Sequence, residues 1–429
     1  MPRRYDAHSH IFNVFYLLDE YAFMAFMAFF GNYPGTGQTQ ARELHADSVF
    51  GDIGQVLKWI VKVIETGVAL MGAEGVNLQT TLSAADSAWG GANQSATIVL
   101  MMDIYFTYAQ PLLADEPWHQ FSMKSLSNQL AVLQPSDIQL GLRHVQTRLQ
   151  DVGLNPDLVA KTTARLNGFI QARRLIHADE AGFFKTPGFW AHMEALRLLK
   201  LDPILGPRFY PFLAVDPRRT GIIDEVLKGE LVGKNLPFRG IKLYPMLGYH
   251  PQCAALESLF DWCAANAIPI TVHCEEPGFP PPYLFAQNYS GLGAPKNYIP
   301  ILEKYKKLGR DLRINFAHFG YQNPVNGVPV TDWTNDIVQL MQDYDGVFAD
   351  FACTNQKADI LTIKNSVWAN QKAKERTLFG TDFDVEYLSS GNQDLANYYA
   401  NFDEANNPGA FTAVELAQIS GDNVERFLG

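Results

Sequence analysis

The stretch DAHSHIF, residues 6–12, sets His8 and His10 one residue apart. In a strand, residues i and i+2 point to one face, about 7 Å apart along the chain at ~3.3 Å rise per residue. Two imidazoles on one face can converge on one cation. A lone His-x-His is more often a surface or hydrogen-bonded pair, so the reading depends on further donors. The chain supplies them: His273 in ITVHCEEPG, His318 in INFAHFG and Asp382 in LFGTDFD each end a short apolar run, and Lys242 lies within another, GIKLYP. Imidazole nitrogens suit zinc, iron, manganese and similar ions, and a carboxylate adds charge and a proton acceptor. A catalytic cation lowers the pKa of water toward about 7. An aspartate that reaches both cation and water can then take the proton, and beside the cation its own pKa should be depressed.

Secondary candidates flank these stretches. Glu275 and Glu276 follow His273; one can orient an imidazole or meet substrate, against the plainer reading of solvated loop carboxylates. Tyr244, Tyr249 and His250 follow the run that carries Lys242. Arg218 and Arg219, in FLAVDPRR, can bind an acidic substrate group bidentately or form a salt bridge within the fold. Cys274 should point away from His273 and behave as a buried apolar residue.

Strands must bring these residues together, and eight candidates are legible: 4–10, 96–104, 208–215, 240–244, 268–274, 312–318, 346–351 and 376–382. From the third onward, most are separated by helical patterns such as ALESLFDWCAANA, where Leu256, Leu259, Phe260 and Cys263 repeat at helical spacing. Strand–helix alternation predicts a parallel sheet. Eight units fit an α/β fold of the (β/α)8 barrel type, whose strand ends converge on one rim. Residues 11–95 and 105–207 interrupt the alternation after strands one and two. They carry helical patterns at 53–71 and 135–153, and are expected to form a helical cap on the catalytic face of one domain spanning 1–429.

Bulk properties narrow the function classes. The 429 residues are 47% hydrophobic and carry a net charge of −11. With no basic cluster, nucleic acid is not an expected partner. The four cysteines lack C-x-x-C spacing, which fits a reducing cytoplasm and no thiol-rich zinc module. The N-terminus reads as no signal peptide. The most apolar stretch, 21–30, is too short to span a bilayer and reads as a buried helix or lid, with a membrane-surface contact as the sharper alternative.

DAHSHIF, GIKLYP, TVHCEEPG, INFAHFG and LFGTDFD, in that order, resemble the amidohydrolase superfamily. The narrower resemblance is to the amidohydrolase-related group that includes aminocarboxymuconate-semialdehyde decarboxylase. FLAVDPRR and the terminal ISGDNVERFLG are similar to that group too. The resemblance covers strand one and most of residues 208–429, not the two long segments. It implies His8, His10, His273 and Asp382 as ligands of a divalent metal, zinc by preference and one ion in preference to two. It implies His318 as an acid/base or electrophilic group, or as a ligand of a second metal. It leaves Lys242 open, as a carboxylated bridge between two metals or as an amine that contacts substrate. A homodimer is expected by analogy alone. The leading expectation is hydrolysis of an amide, ester or lactone in a small molecule. The alternatives are non-oxidative decarboxylation or hydration of an aromatic or unsaturated acid, and a catalytically silent barrel that binds a ligand.

Overall fold

The eight apolar runs become eight parallel strands: β1 (Arg4–Ser9), β2 (Ser95–Leu100), β3 (Phe209–Ala214), β4 (Gly240–Leu243), β5 (Ile270–Val272), β6 (Ile314–Phe316), β7 (Val347–Asp350) and β8 (Thr377–Leu378). In the sheet they follow one another in chain order. The computed structural model describes residues 3–10, 77–89, 91, 95–103, 112, 160, 164, 187–276, 289–325, 328–354, 356–382 and 395–429. Two backbone bonds join the last strand to the first: Ala7 N–H donates to Phe379 O at 2.8 Å, and Asp382 N–H to His8 O at 2.7 Å. The fold is the expected (β/α)8 TIM barrel.

A helix stands between successive strands and after the last: α1 (Asn77–Ala88), α2 (Pro187–Leu201), α3 (Ile222–Leu227), α4 (Glu257–Asn266), α5 (Ile299–Lys307), α6 (Asp332–Asp343), α7 (Lys357–Trp368) and α8 (Leu395–Phe402). Their sequences explain their seats. In α6, Trp333, Ile337, Leu340 and Met341 recur at helical spacing and are buried. In α4, Leu259, Phe260, Cys263 and Ala264 do the same, and Ala267 at φ 52° ends the helix. These faces pack on Ile241, Leu243, Ile270, Val272, Ile314 and Val347, the outward-pointing strand residues. Helices α1 and α2 fall within the two long segments, yet they pack beside β2 and β3. They complete ordinary strand–helix–strand units, so the cap expectation does not extend to them. Nearly all the rest of 11–95 and 105–207, with the apolar stretch 21–30, lies outside the described residues.

Inside the barrel, chemistry changes with height. Tyr5, Ile98, Phe212, Phe348 and Leu378 form an apolar floor with Val424 and Phe427 of the C-terminal helix α9 (Asn423–Leu428). Further along the strands, Lys242, Thr271, Asn315 and Asp350 are all buried. One irregularity matters. Asp6 pairs with Thr97 but Ser9 with Val99, so β1 carries an extra residue against β2. Such a bulge re-aims side chains. It lets Tyr5 join the floor while His8 and His10, of opposite parity, also face inward.

Candidate metal centre

The site is built where strands end and the chain turns sharply. His318 (φ 60°), Phe319 (φ 47°), Cys353 (φ 57°) and Asp382 (φ 50°) follow β6, β7 and β8 in the left-handed region. Non-glycine residues adopt it at a cost of about 1–3 kcal/mol each, and such strain clusters at functional sites. Gly380 permits the approach of β8 to β1, because a Cβ there would lie 2.8 Å from His8 Cβ.

His8, His10 and Asp382 meet at the mouth. His8 Nδ1 lies 3.1 Å from Asp350 Oδ2, and His10 Nδ1 lies against the Leu100 carbonyl. Both partners are acceptors, so each Nδ1 carries the proton and each Nε2 presents a lone pair. These two Nε2 atoms are 3.3 Å apart. Asp382 completes the cluster, with Oδ1 3.4 Å from His10 Nε2 and Oδ2 3.8 Å from His8 Nε2. Burial holds both imidazoles well below the usual histidine range, so they are neutral. Two lone pairs and a carboxylate facing one another, with no proton between the imidazoles, form a donor set that fits a divalent cation of the zinc type. Asp382 Oδ1 and His273 Nε2 are buried without a hydrogen-bond partner, as ligands waiting on a cation would be. Burial pushes the Asp382 carboxyl up to about 8, against the thiol of Cys353 and the amine of Lys242, which pull it down. The depression expected from the sequence depends on the charge of a bound cation, which would act against this burial.

A second group adjoins the first. His318 Nδ1 lies 3.2 Å from the Ala352 carbonyl, and its Nε2 is 3.3 Å from His273 Nδ1. Glu275 Oε2 stands 3.8 Å from His318 Nε2 and 4.0 Å from His273 Nε2. Three of the four expected ligands fall into two groups that share His318, with His8 and Asp382 on one side and with His273 and Glu275 on the other; His10 is in neither and joins through its contacts with His8 and Asp382. Tyr244 stacks on His273, ring centroids 3.9 Å apart. Lys242 is buried with no partner for Nζ. Burial lowers its pKa, while Asp350 and Asp382 pull it upward. Glu276 donates its backbone N–H to Tyr321 O at 2.8 Å.

The arginines need correcting. Arg218 binds Asp216 through Nε (2.8 Å) and Nη2 (2.6 Å), and donates to Leu247 O at 2.9 Å. Arg219 binds Asp103 through Nε (2.5 Å) and Nη2 (2.6 Å) and lies over the Phe189 ring. Both side chains are fully buried. The fork that would clasp a substrate acid is filled by the protein's own carboxylates, so Arg218 braces the loop after β3 instead.

Sequence reading missed Asp350. Its Oδ2 meets His8 Nδ1 and accepts from Asn315 Nδ2 at 2.6 Å, while Oδ1 accepts from the backbone N–H of His318 and Ala352, each at 3.1 Å. One carboxylate therefore orients His8 and anchors the turn that carries His318. The signal was available: an aspartate near the end of the apolar run GVFADF. Asp6 was missed too. It accepts from Thr381 N (3.0 Å), Thr381 Oγ1 (2.6 Å) and His8 N (3.1 Å), clamping together the two strands that carry His8 and Asp382.

Residues 192–429 match the sequence profile of the family described as Amidohydrolase. No curated protein matches the chain. Among solved structures, an uncharacterized TIM-barrel protein from Bordetella bronchiseptica is 17% identical, covers 55% of this chain and 71% of its own, and gives a TM-score of 0.38. An amidohydrolase from Mycobacterium avium subsp. paratuberculosis K-10 is 14% identical, covers 56% of this chain and 65% of its own, and gives a TM-score of 0.26. Among the described residues, no helix is long and apolar enough to cross a membrane.

Proposed function

The chain belongs to the amidohydrolase family, and from that premise we propose a metal-dependent hydrolase that cleaves an amide, ester or lactone bond in a small organic substrate. The observation that carries this reading is the pair of Nε2 lone pairs of His8 and His10, facing each other beside Asp382. These three residues would hold the cation, with the unpartnered His273 Nε2 as the fourth donor. A divalent ion held there would supply Lewis acidity and would acidify water toward neutral pH. Asp382 would serve as the group that takes up a proton and passes it to a leaving group. His318, held by the Ala352 carbonyl and neutral because burial lowers it to about 3, turns Nε2 toward the reacting centre. Lys242, a buried amine beside the site, supports the oxyanion as an electrostatic partner.

Hydrolysis is favoured over decarboxylation of an aromatic acid for one reason. The acid reading calls for a cation to grip the carboxylate, and among the described residues the two arginines that follow β3, Arg218 and Arg219, are each paired with one of the protein's own carboxylates. The deciding experiment measures metal content of the purified protein, then turnover on a panel of esters, lactones and amides, with carbon dioxide release followed on aromatic acids. One or two ions per chain with metal-dependent bond cleavage supports the proposal. Carbon dioxide release without hydrolysis refutes it in favour of the lyase, and a protein that retains no divalent ion refutes both.

A further inference from the structure

The segment that ends β7 touches the site at three residues, His8, His318 and Asp382. Asp350 orients His8 and anchors the His318 turn, and the Ala352 carbonyl receives His318 Nδ1. The next residue completes the series: Cys353 Sγ donates to Asp382 Oδ2 at 3.2 Å. Its backbone N–H donates to Thr381 O at 3.3 Å, so main chain and side chain both tie it to the turn that carries Asp382. Cys253, Cys263 and Cys274 are buried in the outer core, whereas Cys353 is half-buried at the mouth. The two oxygens of Asp382 consequently differ. Oδ2 faces the thiol, while Oδ1 is buried without a hydrogen-bond partner, 3.4 Å from His10 Nε2.

We infer that Cys353 is a positioning residue: its thiol holds Asp382 Oδ2 and thereby turns Oδ1 toward the cation site. The inference rests on the metal-centre reading above. It is not a claim that sulfur is a ligand. Sγ lies on the carboxylate, and Cys353 belongs to neither ligand cluster. A thiol is a weak donor, so it can fix the rotation of the carboxylate without strongly reducing its basicity.

The experiment uses the full-length protein, stripped with chelator and titrated with cobalt(II). Cys353→Ala should weaken cobalt affinity by roughly 2- to 10-fold, the equivalent of one ordinary hydrogen bond, and Cys353→Ser, which keeps a donor, should restore it to within about 2-fold. Wild-type protein should show no sulfur-to-cobalt charge-transfer band. An alanine variant with wild-type affinity overturns the inference. So does a serine variant no better than alanine, which would indicate packing alone. A charge-transfer band that disappears in Cys353→Ser makes the sulfur a ligand and overturns it as well. A separate measurement needs no metal. The infrared S–H stretch lost in Cys353→Ser should lie at the low frequency of a bonded thiol and rise in Asp382→Asn; a stretch unmoved in that variant overturns the inference. If wild-type protein binds no cobalt, the metal-centre reading fails, while the infrared result still decides the Cys353–Asp382 bond.

Discussion

Two buried polar regions share the mouth of this barrel, and they are built on opposite principles. After β3, Arg218 with Asp216 and Arg219 with Asp103 pair bidentately, charge against opposite charge and donors against acceptors. Around β1, β4, β5 and β8 the groups are left unmatched: the acceptors His8 Nε2, His10 Nε2 and Asp382 converge on one another, and Lys242 Nζ, His273 Nε2 and Asp382 Oδ1 lack hydrogen-bond partners. A buried polar group left unsatisfied costs roughly 1–3 kcal/mol, so a protein retains several in one place only where something else satisfies them or where they do chemistry. The arginine region is complete without a ligand; the histidine region is not. Between these two regions the difference lies in the satisfaction of donors and acceptors, since both are buried and both carry charged groups.

Four experiments test that contrast. The largest effect is expected from His10→Ala, which removes one of the two facing lone pairs. Metal content after dialysis should fall to background and turnover should disappear, while circular dichroism stays that of a folded barrel; full retention of metal would reassign His10. Asp382→Asn keeps the size of the side chain and removes its charge and basicity. Turnover should drop by roughly 10²–10⁴-fold, with a smaller loss of metal than in the histidine variant, because an amide oxygen still coordinates weakly. Wild-type turnover in that variant would place the base elsewhere, with Glu275 the next candidate.

The third experiment addresses the arginine side. Arg219→Met fills similar space but strands Asp103 as a buried unpaired carboxylate, a change that typically costs about 3–5 kcal/mol. Denaturant unfolding should show that loss, and the folded fraction should bind as much metal as wild type. A variant of unchanged stability that loses metal would invert the assignment of the two regions.

The smallest effect concerns pH. Burial raises Asp382 and lowers Lys242, each to about 8, so near neutrality the cation must displace a proton from this pair. Affinity should rise with pH below about 8, by about tenfold per unit for one proton displaced, and level off above it. His318, lowered to about 3, and His8, His10 and His273, all lowered by burial, have no proton to give in that range. Calorimetry in buffers of different ionisation heat counts the protons released. Affinity that falls as pH rises from 6 to about 8 would contradict this account.

The legibility of the molecule follows the range of the interactions involved. Seven of the eight strands lie within the run that sequence marks for them, and β2 begins one residue before its run, at Ser95, because a buried parallel strand is a short apolar stretch and needs no distant partner to be recognised. His8, His10, His273, His318, Lys242 and Asp382 stood out because polar residues at the ends or in the middle of such runs have no place in a core. Asp350 and Asp6 have the same signature, but their importance lies in what they hold: His8, Asn315 and the His318 turn for one, Thr381 and His8 for the other. The decisive pairs, Asp350 with His8 and Asp6 with Thr381, are separated by most of the chain and cannot be paired by reading along it.

Sequence by itself therefore determined the barrel and the chemical types gathered at its rim, since periodicity and residue type are local properties. It could not decide between the two roles open to Arg219, because a free guanidinium and a neutralised one are written with the same letter; only the closure of the fold brought Asp103, from beyond β2, alongside. Nor could it foresee that the extra residue in β1 turns His8 and His10 inward above Tyr5, or that left-handed turns at His318, Cys353 and Asp382 fold these side chains over the mouth. Register against a neighbouring strand and backbone conformations costing about 1–3 kcal/mol are imposed by the closed barrel on residues that would not adopt them alone.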